Sequence, residues 1–378
     1  MLDIGISYSK FATSKSGGAR ESLLTLLNGV AESHDITVTV YQTPPVDDRP
    51  ETNFPYQIRT KRLYSVPKLT WTNQVIDRAQ WKRYLRQTLS PDHDLLITQN
   101  QLAPASVTVT NELGIPSLCF IRSMALAGYE KYSPEIGHLS NFRRTDLGGR
   151  IQYPFLWKNF QDYRRSATTA SQTIANSEFT AKKIKQLFGI DSSVIYPPIK
   201  TENYRVAYDA DGYITMVNPR TEYKGPDIFL DIADRMPDEE FLLVGPIGAK
   251  PIKDRADRAP NVTHWEWCDD MRQAYSETKL VVVPSRWEEP FGRVPAEAMV
   301  SGIPCVVSDR GGLPEVVGDT GEVVTDISAI EQWVDAIQRG LNYHRPDAQR
   351  QRAETFSVDN QIPKLLQILE TVQAEKNI

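Results

Sequence analysis

Two carboxylates, Glu289 and Glu297, stand eight positions apart with a Pro290-Phe291-Gly292 break after the first, and two cations, Arg220 and Lys224, stand four apart earlier in the chain. Acids of this kind accept hydrogen bonds from neutral hydroxyls such as those of a ribose or a hexose. Paired cations stabilise a dianionic group as it departs. Nearer the N-terminus, Gly17-Gly18 follows an apolar run and precedes a helical pattern, which lets bare backbone N–H groups approach phosphate oxygens. A short helix expected over 294–300 carries Pro295 in its first turn, and its free N–H groups form a ready anion site close to the same acids. Phosphate together with sugar is the chemistry these residues suit. Asp92-His93-Asp94 has the form of a metal-binding acid pair, but it stands just before a strand and is read as structural.

Each of these residues needs a strand to place it. Short β-branched or apolar runs at 4–8, 38–41, 95–98, 116–121 and 171–175, and again at 213–217, 241–245, 262–267 and 280–283, alternate with helical patterns. Such alternation predicts parallel sheets covered on both faces. The chemistry-bearing residues lie in loops that follow strands: Gly17 and Gly18, Gln99-Asn100-Gln101, Arg122, the stretch 218–225 and the stretch 284–292. Residues 43–67, rich in Pro, read as an irregular excursion. Residues 71–89 read as a partly buried helix with Arg78, Lys82 and Arg86 on a basic rim, and residues 128–150 as a mobile loop. Asn176-Ser177 is a natural cap for a helix over 179–188. Pro197-Pro198 stiffens the exit from the first half, and residues 200–212 form a polar linker.

Glu289 and Glu297 with seven residues between them, Pro-Phe-Gly after the first, Glu-Ala-Met from the second, and then Gly311, Gly312 and Glu315 form a string that resembles the retaining nucleotide-sugar glycosyltransferases of family four. The runs IANSEFTAKKI (174–184) and VIYPPI (194–199) are similar to that family's as well. The resemblance implies an α/β chain of the GT-B fold, two doubly wound Rossmann-like domains facing across a cleft. It implies an acceptor-side domain at 1–199, a donor-binding domain at 200–355 and a C-terminal helix, 356–378, packing back on the first domain. The implied reaction moves a hexosyl group from a UDP- or GDP-sugar to a hydroxyl of a glycan, lipid-linked or small-molecule acceptor, with retention of configuration. Arg220, Lys224 and Glu289 would be catalytic, and Gly17, Gly18, Phe291, Gly292, Arg293 and Glu297 would bind the donor. Gly245, Trp265 and Trp267 would lie at the nucleobase, and Asn100 and Arg122 on the acceptor and sugar side. Neither metal nor cofactor is expected. Two departures stand out: Arg220 and Lys224 are one residue closer than the family's usual pair, and Arg122-Ser123 stands where many relatives carry a His. A subunit that binds a nucleotide sugar or glycan without turning it over stays a second reading, as does a GT-B phosphorylase or epimerase.

Composition sets the frame. A chain of 378 residues with 40% hydrophobic and 24% charged residues suits two globular domains rather than a disordered or single-core chain. No apolar run approaches bilayer length and the N-terminus lacks the pattern of a signal peptide, so a cytoplasmic location is expected. Cys119, Cys268 and Cys305 are odd in number and lie in strand-like runs, which points to reduced thiols. The net charge of −5 is uneven: residues 1–198 hold 23 Lys and Arg against 17 Asp and Glu, the remainder 20 against 31. The basic half leaves peripheral contact with a membrane face or an anionic acceptor open; a nucleic-acid partner is not expected.

Overall fold

The computed structural model describes residues 1–13, 17–128, 137–144 and 147–376. The chain forms two compact units, residues 1–196 with 361–378, and residues 197–360.

The first unit is built on seven parallel strands, β1 (Leu2–Tyr8), β2 (Ile36–Gln42), β3 (Tyr56–Thr60), β4 (Leu95–Gln99), β5 (Ser117–Ile121), β6 (Gln172–Ala175) and β7 (Ser193–Val194). Their spatial order is 3-2-1-4-5-6-7. Six helices are interleaved: α1 (Gly18–Ser33), α2 (Thr70–Thr88), α3 (Ala103–Leu113), α4 (Gly137–Arg144), α5 (Leu147–Thr169) and α6 (Glu178–Phe188). Strands buried on both faces explain why β4 and β5 read as near-continuous apolar runs. One face packs Ile4, Ile6, Val38 and Val40 against Leu23 and Leu27 of α1. The other lies under α2, α3 and α5, with Trp81, Leu85 and Val109 fully buried.

Three readings of the sequence change here. Residues 43–67 are not all irregular, because Tyr56 and Ile58 turn inward and make β3 an edge strand beside β2, an alternation obscured by the surrounding prolines. The stretch 128–150 is helical over 137–144 and from Leu147 onward, where α5 begins inside the expected loop and carries Pro154 within it. Residues 129–136 and 145–146 of that stretch, and Ser14 to Ser16 before the glycine pair, lie outside the described residues. Arg78 is not on a basic rim: it is 2% exposed, donates to the Gln101 carbonyl, Gln74 and Asn159, and stacks over Tyr163. A guanidinium with all this company is a buried strut between α2 and α5.

The second unit has six parallel strands, β8 (Tyr213–Val217), β9 (Phe241–Val244), β10 (Val262–Trp265), β11 (Thr278–Val283), β12 (Cys305–Ser308) and β13 (Glu322–Val324), in the order 10-9-8-11-12-13. The helices are α7 (Pro226–Arg235), α8 (Lys250–Ala256), α9 (Met271–Ser276), α10 (Arg293–Met299), α11 (Leu313–Val317), α12 (Ile330–Asn342) and α13 (Pro346–Glu354). Its core joins Ile214, Phe229, Phe241 and Leu243 to Trp333 and Ile337 of α12.

The last helix, α14 (Val358–Lys376), starts in the second unit and ends in the first. Gln361 accepts from the Tyr196 backbone N–H at 2.9 Å, and Leu365, Leu369 and Val372 enter the first core. Where Ile362 meets α1 the residue is Gly29; a Cβ there would sit 1.7 Å from Ile362 Cδ1. In each sheet the strand order reverses once, between β1 and β4 and between β8 and β11, and ligands of such sheets gather at the strand carboxyl ends beside that reversal.

Candidate active site

In the second unit the reversal lies between the loops that carry Lys224 and Glu289. After β8, Asn218 (φ 61°) turns the chain, Arg220 stands exposed, and a tight turn over Glu222–Lys224 leads into Gly225 (φ 74°) and the helix start at Pro226. Only glycine fits at 225: a Cβ would lie 2.1 Å from the Pro284 carbonyl at the end of β11. That close approach sets Lys224 Nζ 2.5 Å from Glu289 Oε1, which also accepts from Ser285 Oγ at 3.0 Å. The two loops are clamped on their outer side by Arg286, whose nitrogens meet both oxygens of Asp227 at 2.7 and 2.6 Å and whose N–H donates to the Tyr223 carbonyl. Burial alone would raise the Asp227 carboxyl, but the two Arg286 hydrogen bonds prevail and hold it below its ordinary value.

Glu289 is fixed from behind as well. Its carbonyl accepts from Gly312 N–H at 2.6 Å, and Gly311 (φ 67°) comes so close that a Cβ would lie 2.2 Å from the same oxygen. The second glycine pair of the motif is thus a backbone rest for the first acid. Glu297, one turn into α10, is 8% exposed. Arg293, on the same face one turn earlier, reaches its Oε1 at 3.0 Å, and Tyr275 donates to Oε2 at 3.3 Å. Burial pushes the Glu297 carboxyl above its ordinary 4.5, and Arg293, Tyr204 and Tyr275 offset only part of that. Tyr275, wholly enclosed beside this acid, has its own hydroxyl pushed well above 10 by burial and then by Glu297.

Among the other residues expected here, Gly245 (φ 107°) comes within 3.6 Å of the Asn218 Cα when a Cβ is placed on it, and its N–H donates to the Trp265 carbonyl. Trp265 is half-buried. Trp267 is 73% exposed and donates to Asp269. The Phe291 ring packs edge to face on Phe356, 5.1 Å between centroids, so only its backbone is left to face a ligand. Gly292 (φ 120°) caps α10. The Arg220 carbonyl lies against Gly248, and its guanidinium has no ion pair among the described residues. The structure therefore pairs Lys224 with Glu289 and Arg293 with Glu297, and joins neither Arg220 nor Trp267 to them by a contact.

At the reversal of the first sheet, Gly17 caps α1 with open space where a Cβ would stand, and Gly18 is the first helical residue. Asn100 (φ 66°) follows β4, its side chain donating to Ser9 Oγ and its carbonyl accepting from Tyr163. Arg122 follows β5, donates to Gln99 Oε1 at 2.6 Å and lies over the Phe120 ring. Gln99 in turn reaches the Ala19 carbonyl at 3.4 Å, tying the glycine loop to Arg122. Asp92-His93-Asp94 is structural: His93, 2% exposed, sits between Tyr41 and Asp3, and Asp94 accepts from Asp3 N–H. No group of acids, histidines and cysteines among the described residues is arranged to hold a metal ion.

Two family models divide the chain between them: that for Glycosyltransferase Family 4 matches residues 16–203 and that for Glycosyl transferases group 1 matches residues 212–342. The chain belongs to the family 4 glycosyltransferases. The D-inositol 3-phosphate glycosyltransferase of Mycobacterium sp. (strain KMS) is 28% identical over 218 residues, 50% of this chain and 49% of that protein. This family 4 chain spans about half the length of the curated relatives it matches. Among solved structures, sucrose-phosphate synthase from Thermosynechococcus elongatus aligns with a TM-score of 0.74 at 18% identity, covering 99% of this chain and 100% of that one. Anabaena HepE, solved with UDP-glucose, aligns with a TM-score of 0.67 at 18% identity over 98% of this chain and 100% of its own. These likenesses establish the GT-B fold, two Rossmann-like domains with parallel sheets.

Within the family 4 frame, sequence reasoning missed the residues that support the site rather than those that name it. Arg286 and Asp227 lie 59 positions apart and pair only once both loops have formed. Tyr275 is fully buried and Tyr204 half-buried; their only signal is the hydroxyl, which an enclosed tyrosine needs to satisfy. Ser285 carries no signal beyond following a strand end.

Proposed function

We propose that this family 4 glycosyltransferase moves a hexosyl group from a nucleotide-diphosphate sugar to an acceptor hydroxyl with retention of configuration. The observation that carries the reading is the Lys224–Glu289 pair, 2.5 Å apart at the strand reversal of the second unit, with the exposed Arg220 in the same loop. Breaking the bond to the anomeric carbon leaves a diphosphate with an added negative charge, the demanding part of the reaction. Lys224 and Arg220 supply fixed positive charge for it, and the bare backbone at the start of α10 supplies amides. Glu289, anchored by Lys224, Ser285 and Gly312, accepts from a sugar hydroxyl. Glu297 has lone pairs left after Arg293 and Tyr275 for the ribose hydroxyls. No side chain is assigned as general base: the departing phosphate oxygen takes the acceptor proton on the same face. The charge is met by side chains and amides, so the reading needs no metal.

UDP-glucose in HepE and the inositol phosphate in the mycobacterial relative's name make a uridine donor and a hydroxyl-rich acceptor the first to try. The acceptor falls to the first unit, where Asn100 and Arg122 stand at the strand ends. A peripheral membrane role, if the acceptor is lipid-linked, falls to α4 and α5, where Leu139, Leu147 and Ile151 are exposed near Arg143 and Arg150. No helix among the described residues is long and apolar enough to cross a membrane.

The test is incubation of the purified protein with UDP-, GDP- and ADP-sugars, with and without a panel of polyol and glycan acceptors, following nucleotide release and the anomeric proton of the product. Slow donor hydrolysis and an α-product from an α-donor are expected. Release of no nucleotide from any donor, or inversion at the anomeric carbon, would overturn the proposal.

A further inference from the structure

Away from the strand ends, the flanks of α2, α3 and α5 in the first unit form an open cleft of about 310 Å³, with Asn111, Lys158 and Arg165 exposed on its rim. Arg78, Lys82, Asn111, Lys158, Asp162 and Arg165 line it. Its size is at the lower end for small-molecule sites and about ten times a water's share of liquid volume.

The charges around it do not balance. Asp162 already holds Lys158 at 2.9 Å and Arg78 at 3.4 Å, and Glu112, on the wall, is held by both Nε and Nη2 of Arg86 at 2.7 Å. That leaves the Lys82 ammonium and the solvent-exposed Arg165 guanidinium without hydrogen bond or ion pair to another described residue, although both line the cleft. Lys82 is half-buried. Burial, with Lys158 and Arg86 nearby, holds its ammonium below the ordinary 10.5 despite the pull of Asp162 and Glu112. Arg78 cannot swing away to relieve the excess, because its guanidinium is locked by Gln74, Gln101, Asn159 and the Tyr163 ring.

The neutral lining selects further. Thr108 and Thr169 give their protons to the Pro104 and Arg165 carbonyls, so both hydroxyls can only accept from a ligand. Asn111 gives one amide N–H to the Thr169 carbonyl and keeps the other, with its side-chain oxygen left as an acceptor. Unmatched cations beside outward acceptors call for a molecule with an anionic group and hydroxyl donors together. We infer that the cleft between α2, α3 and α5 is a second binding site of this protein, for a phosphorylated polyol or sugar, with Lys82 and Arg165 as counter-ions to the phosphate.

The phosphate monoester prefers Arg165 through its planar fork and Lys82 as a point charge, while its hydroxyls donate to Thr108, Thr169 and Asn111. The same headgroup is available free in solution or on a phospholipid, and the experiment separates the two. The full-length protein is treated with an amine-acetylating reagent, and the rate at each lysine is read by mass spectrometry. Lys250, in the other unit, is the internal control. With glycerol 3-phosphate at ten times its dissociation constant, acetylation of Lys82 should slow roughly tenfold while Lys250 is unchanged. Protection by glycerol 3-phosphate identifies a soluble ligand. Protection only by vesicles of equal phosphatidylglycerol and phosphatidylcholine, with none from pure phosphatidylcholine, identifies a lipid headgroup. Equal Lys82 rates with every probe would overturn the inference. As a second readout, the Lys82→Gln, Arg165→Gln protein should lose the calorimetric heat of glycerol 3-phosphate binding while keeping its rate of nucleotide release. Retention of that heat would also overturn it.

Discussion

Lys224 and Glu289 hold each other still, and the ion pair matters more for position than for stability, since Lys224 keeps about a third of its side chain in water. Removing the ammonium should therefore leave the fold intact and cost chemistry. Lys224→Ala is expected to lower turnover by about 100-fold, the scale seen for one lost transition-state donor. A thermal melt within a degree or two of the parent, with steady-state rates for the donor identified in the screen, checks both halves. Glu297 makes a different prediction. Its folded value lies above the unfolded 4.5, so the folded state binds the proton more tightly, and its contribution to stability falls as pH rises from 4.5 through the folded value. In Glu297→Gln that slope is gone. The melting temperature of the variant minus that of the parent should become more positive from pH 4.5 toward 7, and a flat difference would remove the assignment of Glu297 as a burial-strained acid. At this scale the sequence showed which residue types follow which strands, because a β-branched run ending in Pro or Asn marks the exit. The i, i+4 spacing of Arg293 and Glu297 on α10 was open to reading. The sequence could not show that Arg286 clasps Asp227, since that depends on two loops closing on each other.

At the scale of elements, the site is held by backbone contacts that tolerate no side chain. Gly225 lets the turn after β8 lean on the end of β11, and Gly311 does the same for the loop that carries Glu289. Gly311→Ala should force either the left-handed backbone or the Glu289 carbonyl to move. The expectation is destabilisation by more than about 1 kcal/mol, with a loss of turnover larger than the melting shift explains. Urea unfolding and initial rates on the same preparation would show it; unchanged rates would mean Glu289 does not depend on that rest. The alternation of strands and helices was legible because period and turn residues agree along most of the chain. It failed at β3, where two inward residues in a proline-rich stretch give too short a pattern, and at Arg78, whose charge suggests water although its partners come from two other elements.

For the whole molecule, two Rossmann-like halves could be read from the repeat of strand, loop and helix. Where the final helix belongs was implied by the family resemblance alone, because its apolar positions by themselves fit any core. Leu365, Leu369 and Val372 lie in the first unit's core, and each buried aliphatic side chain contributes about 1.5–3 kcal/mol. A chain ending at Asn360 should therefore lose several kcal/mol from the first unit and little from the second. Calorimetry of the shortened protein is expected to show one transition shifted far down or absent and the other near its original temperature. A uniform downward shift of a single transition would contradict it.

Tyr196 and Gln361 meet through one hydrogen bond, and Ile199 meets Phe356, Ser357 and Val358 through backbone bonds just beyond them. In sequence, then, the second unit is a cassette spliced into the first at a point where the cut ends already touch. A gene joining 1–196 to 361–378 through a few Gly and Ser codons should yield the seven-stranded half as a free-standing protein. The excised piece, with its own ends stitched by Ile199, should fold without it, so that family members could exchange this second unit by recombination without redesigning a linker.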